Sequence, residues 1–165
     1  MRDARIYTGD PSNPWAEGVA CDGERILAVG EERAVDRLTG AKTQILEAGG
    51  RLVLPGFIDA HVHLKNLGHG NYDRWDPWMT ERHLLERVME IAAKQLLMAG
   101  VTSAVDLGGQ LAESLRVRDR IARGEIPGAR MWVSGPWITR VMGRYAPEPV
   151  VQVQAETPED AARAT

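Results

Sequence analysis

The chain has 165 residues, 44% of them hydrophobic and 26% charged, which are ordinary proportions for a soluble globular protein. Its net charge of −3 provides no basic surface, so we expect it to bind neither nucleic acid nor an anionic membrane. The single cysteine, Cys21, cannot form an internal disulfide, and no apolar stretch approaches the roughly 20 residues that a membrane helix needs. The N-terminus also lacks an apolar leader, so we expect a cytoplasmic protein.

Residues 1–52 have the pattern of a small β-rich module, in which short apolar strands alternate with turns. Asp22-Gly23 lies between two such strands and predicts a hairpin, with Cys21 as a packed strand residue. One short helical segment is predicted at residues 31–38. The predicted strands are residues 4–8, 18–21, 25–29 and 43–46.

From residue 53 onward, apolar strands alternate with amphipathic helices, which predicts parallel β/α units. The first strand leads into the sequence His61-Val-His63. Thr80 is the predicted N-cap of the first helix, which ends before Gly100, and Thr157 caps the last helix. Further strands are predicted at residues 101–105 and 130–134, and helices at residues 80–99, 111–123 and from 157 onward.

Three parallel units are too few to close a β/α barrel, which takes eight strands and typically about 250 residues. They would expose a parallel sheet edge and inner side chains, although parallel sheets are normally covered on both faces. We therefore expect residues 53–165 to be the N-terminal part of a (β/α)8 barrel that is truncated and incomplete. The expected fold class is α/β, with residues 1–52 as a separate small domain.

The sharpest chemical signal is the pair His61 and His63 at the end of the first barrel strand. Residues two apart in a strand project from the same face, so both imidazoles point together while Val62 points away. The carboxyl ends of the strands are where β/α barrels place their active sites. Two convergent neutral imidazoles are half of a divalent-metal site, although a bare His-x-His also arises by chance.

The sequence Val53-Leu-Pro-Gly-Phe-Ile-Asp-Ala-His-Val-His-Leu64 resembles the first-strand motif of the amidohydrolase superfamily. Residues 28–56 are similar to the small N-terminal β-sandwich of that family. Residues 97–109 and 130–139 resemble the second and third strands of the branch that contains prolidase-like and imidazolonepropionase-like enzymes. Residues 4–10 are also similar to formamide-deformylase-like members, so the resemblance spans nearly the whole chain.

The resemblance implies a TIM-type barrel enzyme that hydrolyses an amide-like C–N bond of a small-molecule substrate with a metal-activated water. It implies that His61 and His63 bind a divalent metal, zinc in the usual case, as one or two ions. The remaining ligands in the family are a lysine, often carbamylated, two histidines and an aspartate from later strands. None of those strands is expected within this chain, so its catalytic base stays unknown and the chain alone is expected to be inactive.

Two alternatives to a hydrolase stay open. One is a decarboxylase or isomerase built on the same scaffold. The other is a non-catalytic chain, which is either a degenerate fragment or a subunit that a separate C-terminal polypeptide completes. The expected protein partner is either a second copy of the chain, in a homo-oligomer, or a complementing C-terminal chain.

Other polar residues near the histidine pair allow weaker predictions. Asp59 either orients a metal ligand or is a buried carboxylate bonded to backbone amides. We interpret Lys65 as a loop residue at the strand exit, and Asp106 as a cap of a neighbouring loop rather than a catalytic group. His83 is expected to be exposed in the first turn of a helix. Four residues of the first β/α loop either line a substrate pocket or pack over the barrel rim: His69, Tyr72, Trp75 and Trp78.

Overall fold

The structure is a computed structural model that describes residues 1–66, 81–139 and 152–165. The chain divides into two compact units, Met1–Pro55 and Gly56–Thr165. The first unit is made mainly of short strands, and the second alternates strands with helices, so the expected α/β class is confirmed. No helix of the described ranges is long and apolar enough to cross a membrane.

The N-terminal unit contains two small sheets. In the first sheet, β1 lies between β2 and β5, antiparallel to β2 and parallel to β5. The second sheet is the antiparallel hairpin of β3 and β4. A short helix, α1, follows the hairpin as predicted. The elements are β1 (Arg2–Tyr7), β2 (Trp15–Ala16), β3 (Gly18–Asp22), β4 (Arg25–Gly30), α1 (Glu32–Asp36) and β5 (Glu47–Val53).

The hairpin predicted at Asp22-Gly23 is confirmed, with a small shift of its turn. Asp22 still pairs with Arg25, so the two turn residues are Gly23 and Glu24. Gly23 has a φ of 55°, a left-handed conformation that glycine adopts without steric cost. Cys21 is exposed, so its predicted packing is wrong.

The strand predicted at residues 43–46 is also wrong, because this segment forms no strand. Thr43 belongs to a turn, in which the Gly40 N–H donates to Thr43 Oγ1 at 2.9 Å and the Thr43 N–H donates to Gly40 O. The strand is β5, Glu47–Val53, which is held by parallel pairing with β1. It passes through two glycines and through the predicted domain boundary between residues 52 and 53.

The second unit is built on a parallel sheet of three strands in the order β6-β7-β8. A helix follows each of the first two strands, so the predicted β/α alternation is confirmed. Within the described ranges this sheet is open and forms no closed barrel. Its elements are β6 (Phe57–Val62), α2 (Arg82–Met98), β7 (Val101–Asp106), α3 (Leu111–Ala122) and β8 (Arg130–Val133).

Two short strands and one helix complete the described part of this unit. The strands β9 (Trp137–Thr139) and β10 (Gln152–Gln154) form a parallel pair that the sequence did not predict. The helix α4 (Pro158–Arg163) begins as predicted. Thr157 Oγ1 accepts from the Asp160 N–H and the Asp160 carboxylate accepts from the Thr157 N–H, which is a capping box.

The helix α2 ends as predicted but begins differently. Gly100 follows it with a φ of 87°, as expected of a glycine just after a helix. Thr80, the predicted N-cap, lies outside the described residues. The N-cap position is occupied by Glu81, whose side chain makes no capping hydrogen bond.

One hydrophobic core joins the two helices to the sheet. It combines buried residues of α2 and α3 with small or flexible residues of β7 and β8, and its small residues let the helices approach the sheet closely. The buried members are Leu64, Leu85, Met89, Ala93, Ala104, Val117, Ala129 and Met131.

Two methionines of α2 provide a matched test of this core. Met89 is fully buried, whereas Met98 is 78% exposed on the same helix. We expect Met89→Ala to lower the free energy of unfolding by about 2–5 kcal/mol because it leaves a cavity. Met98→Ala should change it by less than about 0.5 kcal/mol. Denaturant unfolding followed by circular dichroism measures both, and equal effects would contradict the helix orientation.

Candidate metal centre

The histidine pair lies at the carboxyl end of the parallel sheet. His61 is the second-last residue of β6, and His63 follows the strand directly. Parallel pairing brings the carboxyl ends of β7 and β8 to the same edge. There the Leu107 N–H donates to Val62 O and the Ser134 N–H donates to Asp106 O, each at 3.0 Å. The expected position at the strand ends is therefore confirmed.

The two imidazoles converge as the two-residue period of a strand predicts. His61 Nε2 and His63 Nε2 are 3.3 Å apart, and the two ring planes are nearly perpendicular, at 87°. Two nitrogens bound to one tetrahedral zinc at about 2.0–2.1 Å would themselves lie about 3.3 Å apart. The spacing and the donor type therefore both fit a shared divalent metal.

Partial burial distinguishes His63 from its neighbour. His61 is exposed, whereas His63 is half-buried and lies against the ring of Trp137. This burial, followed by the nearby charges of His61 and Lys65, lowers the pKa of His63 below its ordinary value. His63 is consequently a neutral imidazole near pH 7, and the neutral form is the one that binds metals.

Asp59 contacts the pair through the backbone. Its Oδ1 accepts a hydrogen bond from the His61 N–H at 3.1 Å, and its side chain is half-buried. The strand register shifts between Asp59 and Val62, which marks a bulge, so strict alternation of faces does not extend from Asp59 to the histidines. The bond goes to a backbone amide, and because that amide belongs to His61, both interpretations of Asp59 stay open.

Lys65 lies in the turn that follows β6, as predicted, but it is 5% exposed rather than solvated. Its Nζ lies 4.6 Å from the centre of the Trp137 ring, in a cation–π contact. The chain therefore places a buried cation two residues after His63.

Asp106 caps the loop after β6, which confirms its predicted role. It is 1% exposed, and its two oxygens accept from the Leu64 N–H at 3.3 Å and from Ser114 Oγ at 3.1 Å. Burial raises the pKa of Asp106, against the opposing effects of these two hydrogen bonds and of Lys65. The carboxylate thus fixes the residue that follows His63.

Two residues at this edge were missed by the sequence analysis. Trp137 contacts both His63 and Lys65, and Ser114 is a buried hydroxyl on α3 that donates to Asp106. An aromatic residue shortly after a strand end, next to the turn residues Gly135-Pro136, was the available signal for Trp137. Ser114 gave no signal, because a serine within a helix pattern is usually exposed.

Other predicted residues do not add to the site. His83 is exposed on α2, as expected, with a side-chain exposure of 77%. The four loop residues His69, Tyr72, Trp75 and Trp78 lie outside the described residues. Within the described ranges, no group of three or more histidine, cysteine, aspartate or glutamate residues could hold a metal ion. The histidine pair therefore stands as half of a donor set.

Comparison with known proteins identifies the family. The sequence profile described as "Amidohydrolase family" matches residues 52–164, which is most of the chain and includes both histidines. The chain belongs to the amidohydrolase family. Its resemblance to that superfamily is thereby confirmed.

Individual relatives of this amidohydrolase match shorter segments. The N-substituted formamide deformylase of Arthrobacter pascens is 41% identical over 69 residues, covering 39% of this chain and 13% of that protein. The imidazolonepropionase of Symbiobacterium thermophilum is 41% identical over 66 residues, covering 39% of this chain and 14% of that protein. The chain thus matches about one seventh of the length of these relatives.

A solved structure shows the same fold over nearly the whole chain. A Bifidobacterium longum protein that was assigned as a prolidase superposes with a TM-score of 0.73 at 28% sequence identity. The superposition covers 99% of this chain and 36% of that protein. The chain therefore spans about a third of the length of that protein.

Two substitutions of Asp106 should distinguish the effect of its hydrogen bonds on stability from the effect of its buried charge. Asparagine keeps an acceptor for the Leu64 N–H and can donate to Ser114 Oγ, whereas alanine leaves both partners unsatisfied. We expect Asp106→Ala to lower the free energy of unfolding by about 2 kcal/mol at pH 7. Asp106→Asn should have a smaller effect in the same denaturant titration.

The pH dependence of the same variants tests the raised pKa of Asp106. The folded state binds the proton more tightly than the unfolded state, so this group favours folding more as the pH falls through the raised pKa. The parent should therefore gain stability relative to Asp106→Asn between neutral pH and the ordinary pKa of aspartate. A difference that is independent of pH would contradict this assignment.

Proposed function

We propose that this chain supplies the first two metal ligands of an amidohydrolase that hydrolyses an amide-like C–N bond. The observation that carries the proposal is the 3.3 Å separation of His61 Nε2 and His63 Nε2 at the carboxyl end of β6. We propose zinc as the metal, because imidazole nitrogens at this spacing suit its tetrahedral geometry. The ligands still required lie outside the described residues, since the described ones offer no third donor.

The names of the relatives support an amide-like substrate. An N-substituted formamide deformylase and an imidazolonepropionase are among the proteins to which the chain is similar. We therefore propose a small molecule with an amide-like or lactam-like C–N bond as the substrate. Location in the cytoplasm stays a prediction. Assembly, as a homo-oligomer or with a second chain that completes the enzyme, stays a prediction as well.

The residues of this chain prepare the site in three ways. His63 is kept neutral, so no proton has to leave its ring before it binds a cation. Asp59 fixes the backbone at His61, and Asp106 fixes the backbone after His63, so each histidine has an anchored peptide beside it. When bound, zinc supplies Lewis-acid chemistry, lowering the pKa of a water ligand and polarising a carbonyl.

Zinc titration tests the proposed ligands directly. We expect the 165-residue chain to bind zinc weakly, because two imidazoles leave half of the coordination to water. The double variant His61→Ala, His63→Ala should bind zinc at least about tenfold more weakly. Removal of a group that only orients a metal ligand already costs about that much, and this variant removes the ligands themselves. His83→Ala is the matched control, since it removes an exposed histidine of the same unit. Isothermal titration calorimetry of all three proteins decides it, and equal affinities would refute the proposed site.

An activity assay tests whether the described donors suffice for turnover. We expect the zinc-loaded chain to hydrolyse dipeptides, N-formyl amines and lactams no faster than the double variant, because the described residues hold only half of a donor set. Product formation is followed by mass spectrometry. Turnover that disappears in His61→Ala would show that the chain carries a complete site, contrary to this expectation.

A further inference from the structure

The second nitrogen of His63 is in an unusual position for a metal ligand. A histidine that binds a metal through one ring nitrogen normally donates a hydrogen bond from the other, and this bond fixes the orientation of the ring. His63 Nδ1 is buried, and within residues 1–66, 81–139 and 152–165 it has no hydrogen-bond partner. At this nitrogen, ring packing takes the place of the usual hydrogen bond.

The indole of Trp137 provides that packing. Its ring centre lies 5.5 Å from the centre of the His63 ring, and the two planes meet at 82°. A nearly perpendicular contact at this distance is a favoured arrangement of two aromatic rings. His61 contacts the His63 ring in the same manner, with centres 5.0 Å apart, so two aromatic rings pack against His63.

Trp137 is itself held firmly. Its Nε1–H donates to Leu107 O at 2.8 Å, which ties the indole to the loop after β7. A Cβ at Gly108 would lie only 1.8 Å from Trp137 Nε1, so only a glycine leaves room for the indole there. The ammonium of Lys65 lies over the same ring at 4.6 Å. Each contact restricts the rotation of the indole.

We propose that Trp137 is a positioning residue that orients His63 for metal binding, in the role usually taken by a hydrogen-bond acceptor. This inference rests on the proposed function, because it takes His63 as a ligand. Trp137 acts through the His63 ring and touches no reacting atom. Loss of the indole leaves His63 free to rotate, so part of the binding free energy is spent on ordering the ring.

Zinc affinity and stability together separate this role from a purely structural one. We expect Trp137→Ala to weaken zinc binding about tenfold, within the range found for partners that orient metal ligands. Trp137→Phe keeps a ring against His63 but removes the bond to Leu107, so its loss should be smaller. Trp132→Ala, which removes a half-exposed tryptophan from β8, should leave zinc affinity unchanged. Calorimetry is carried out below the unfolding temperature of each variant.

A second measurement reports on the ring contact without metal. Nuclear magnetic resonance of the metal-free chain should show a shift of the His63 ring protons in Trp137→Ala and not in Trp132→Ala. A purely structural Trp137 would lower thermal stability while the folded variant kept the parent's zinc affinity, and that result overturns the inference. Zinc binding that persists in the His61→Ala, His63→Ala variant would refute the proposed site, and the inference with it.

Discussion

The buried carboxylate of Asp106 ties together the parts of the chain that form the candidate site. It lies at the end of the central strand, and its two oxygens hold the turn after β6 and the first turns of α3. Burial of a charge is costly, as the raised pKa of Asp106 shows, and the two hydrogen bonds recover only part of that cost. The residue that bears this cost, Asp106, is the one that fixes the peptide following His63.

The contacts of Trp137 at the same edge depend on a glycine, Gly108, which has no side chain. The loop after β7 contains two glycines, and Gly108 allows the indole of Trp137 to lie against its backbone. The Gly109 N–H donates to Gly135 O, which joins this loop to the one before β9. The Trp137 ring contacts both the His63 ring, nearly at a right angle, and the Lys65 ammonium, so the first residue of β9 packs against two residues that follow β6.

The sequence predicted the parts of the molecule that local periodicity controls. The convergence of His61 and His63 follows from the two-residue period at one strand end, and it is observed although the register shifts between Asp59 and Val62. The predicted strand at residues 43–46 contains the apolar pair Ile45 and Leu46. The hydroxyl of Thr43 instead accepts a hydrogen bond that closes a turn.

Contacts between distant residues were beyond prediction from one sequence. Trp137 contacts His63 because the start of β9, shortly after β8, lies near the carboxyl end of β6. The local sequence around either residue does not predict this contact. Ser114 is buried at the end of β7, where its hydroxyl donates to Asp106. This contact forms only when α3 packs over the strand end, so the sequence of α3 alone does not predict it. Such pairs depend on the register and packing of several elements, whereas the histidine pair depends on one.

The electrostatics of this edge bear on how a cation would bind there. The charge of Lys65 helps to lower the pKa of His63, and the same repulsion disfavours a divalent cation. Proton and metal compete for one nitrogen, however, so a lower proton affinity removes part of the competition. The Trp137 ring faces the Lys65 ammonium and attracts it through its negative π face. The aromatic ring that packs on the proposed ligand thus also holds the cation beside it.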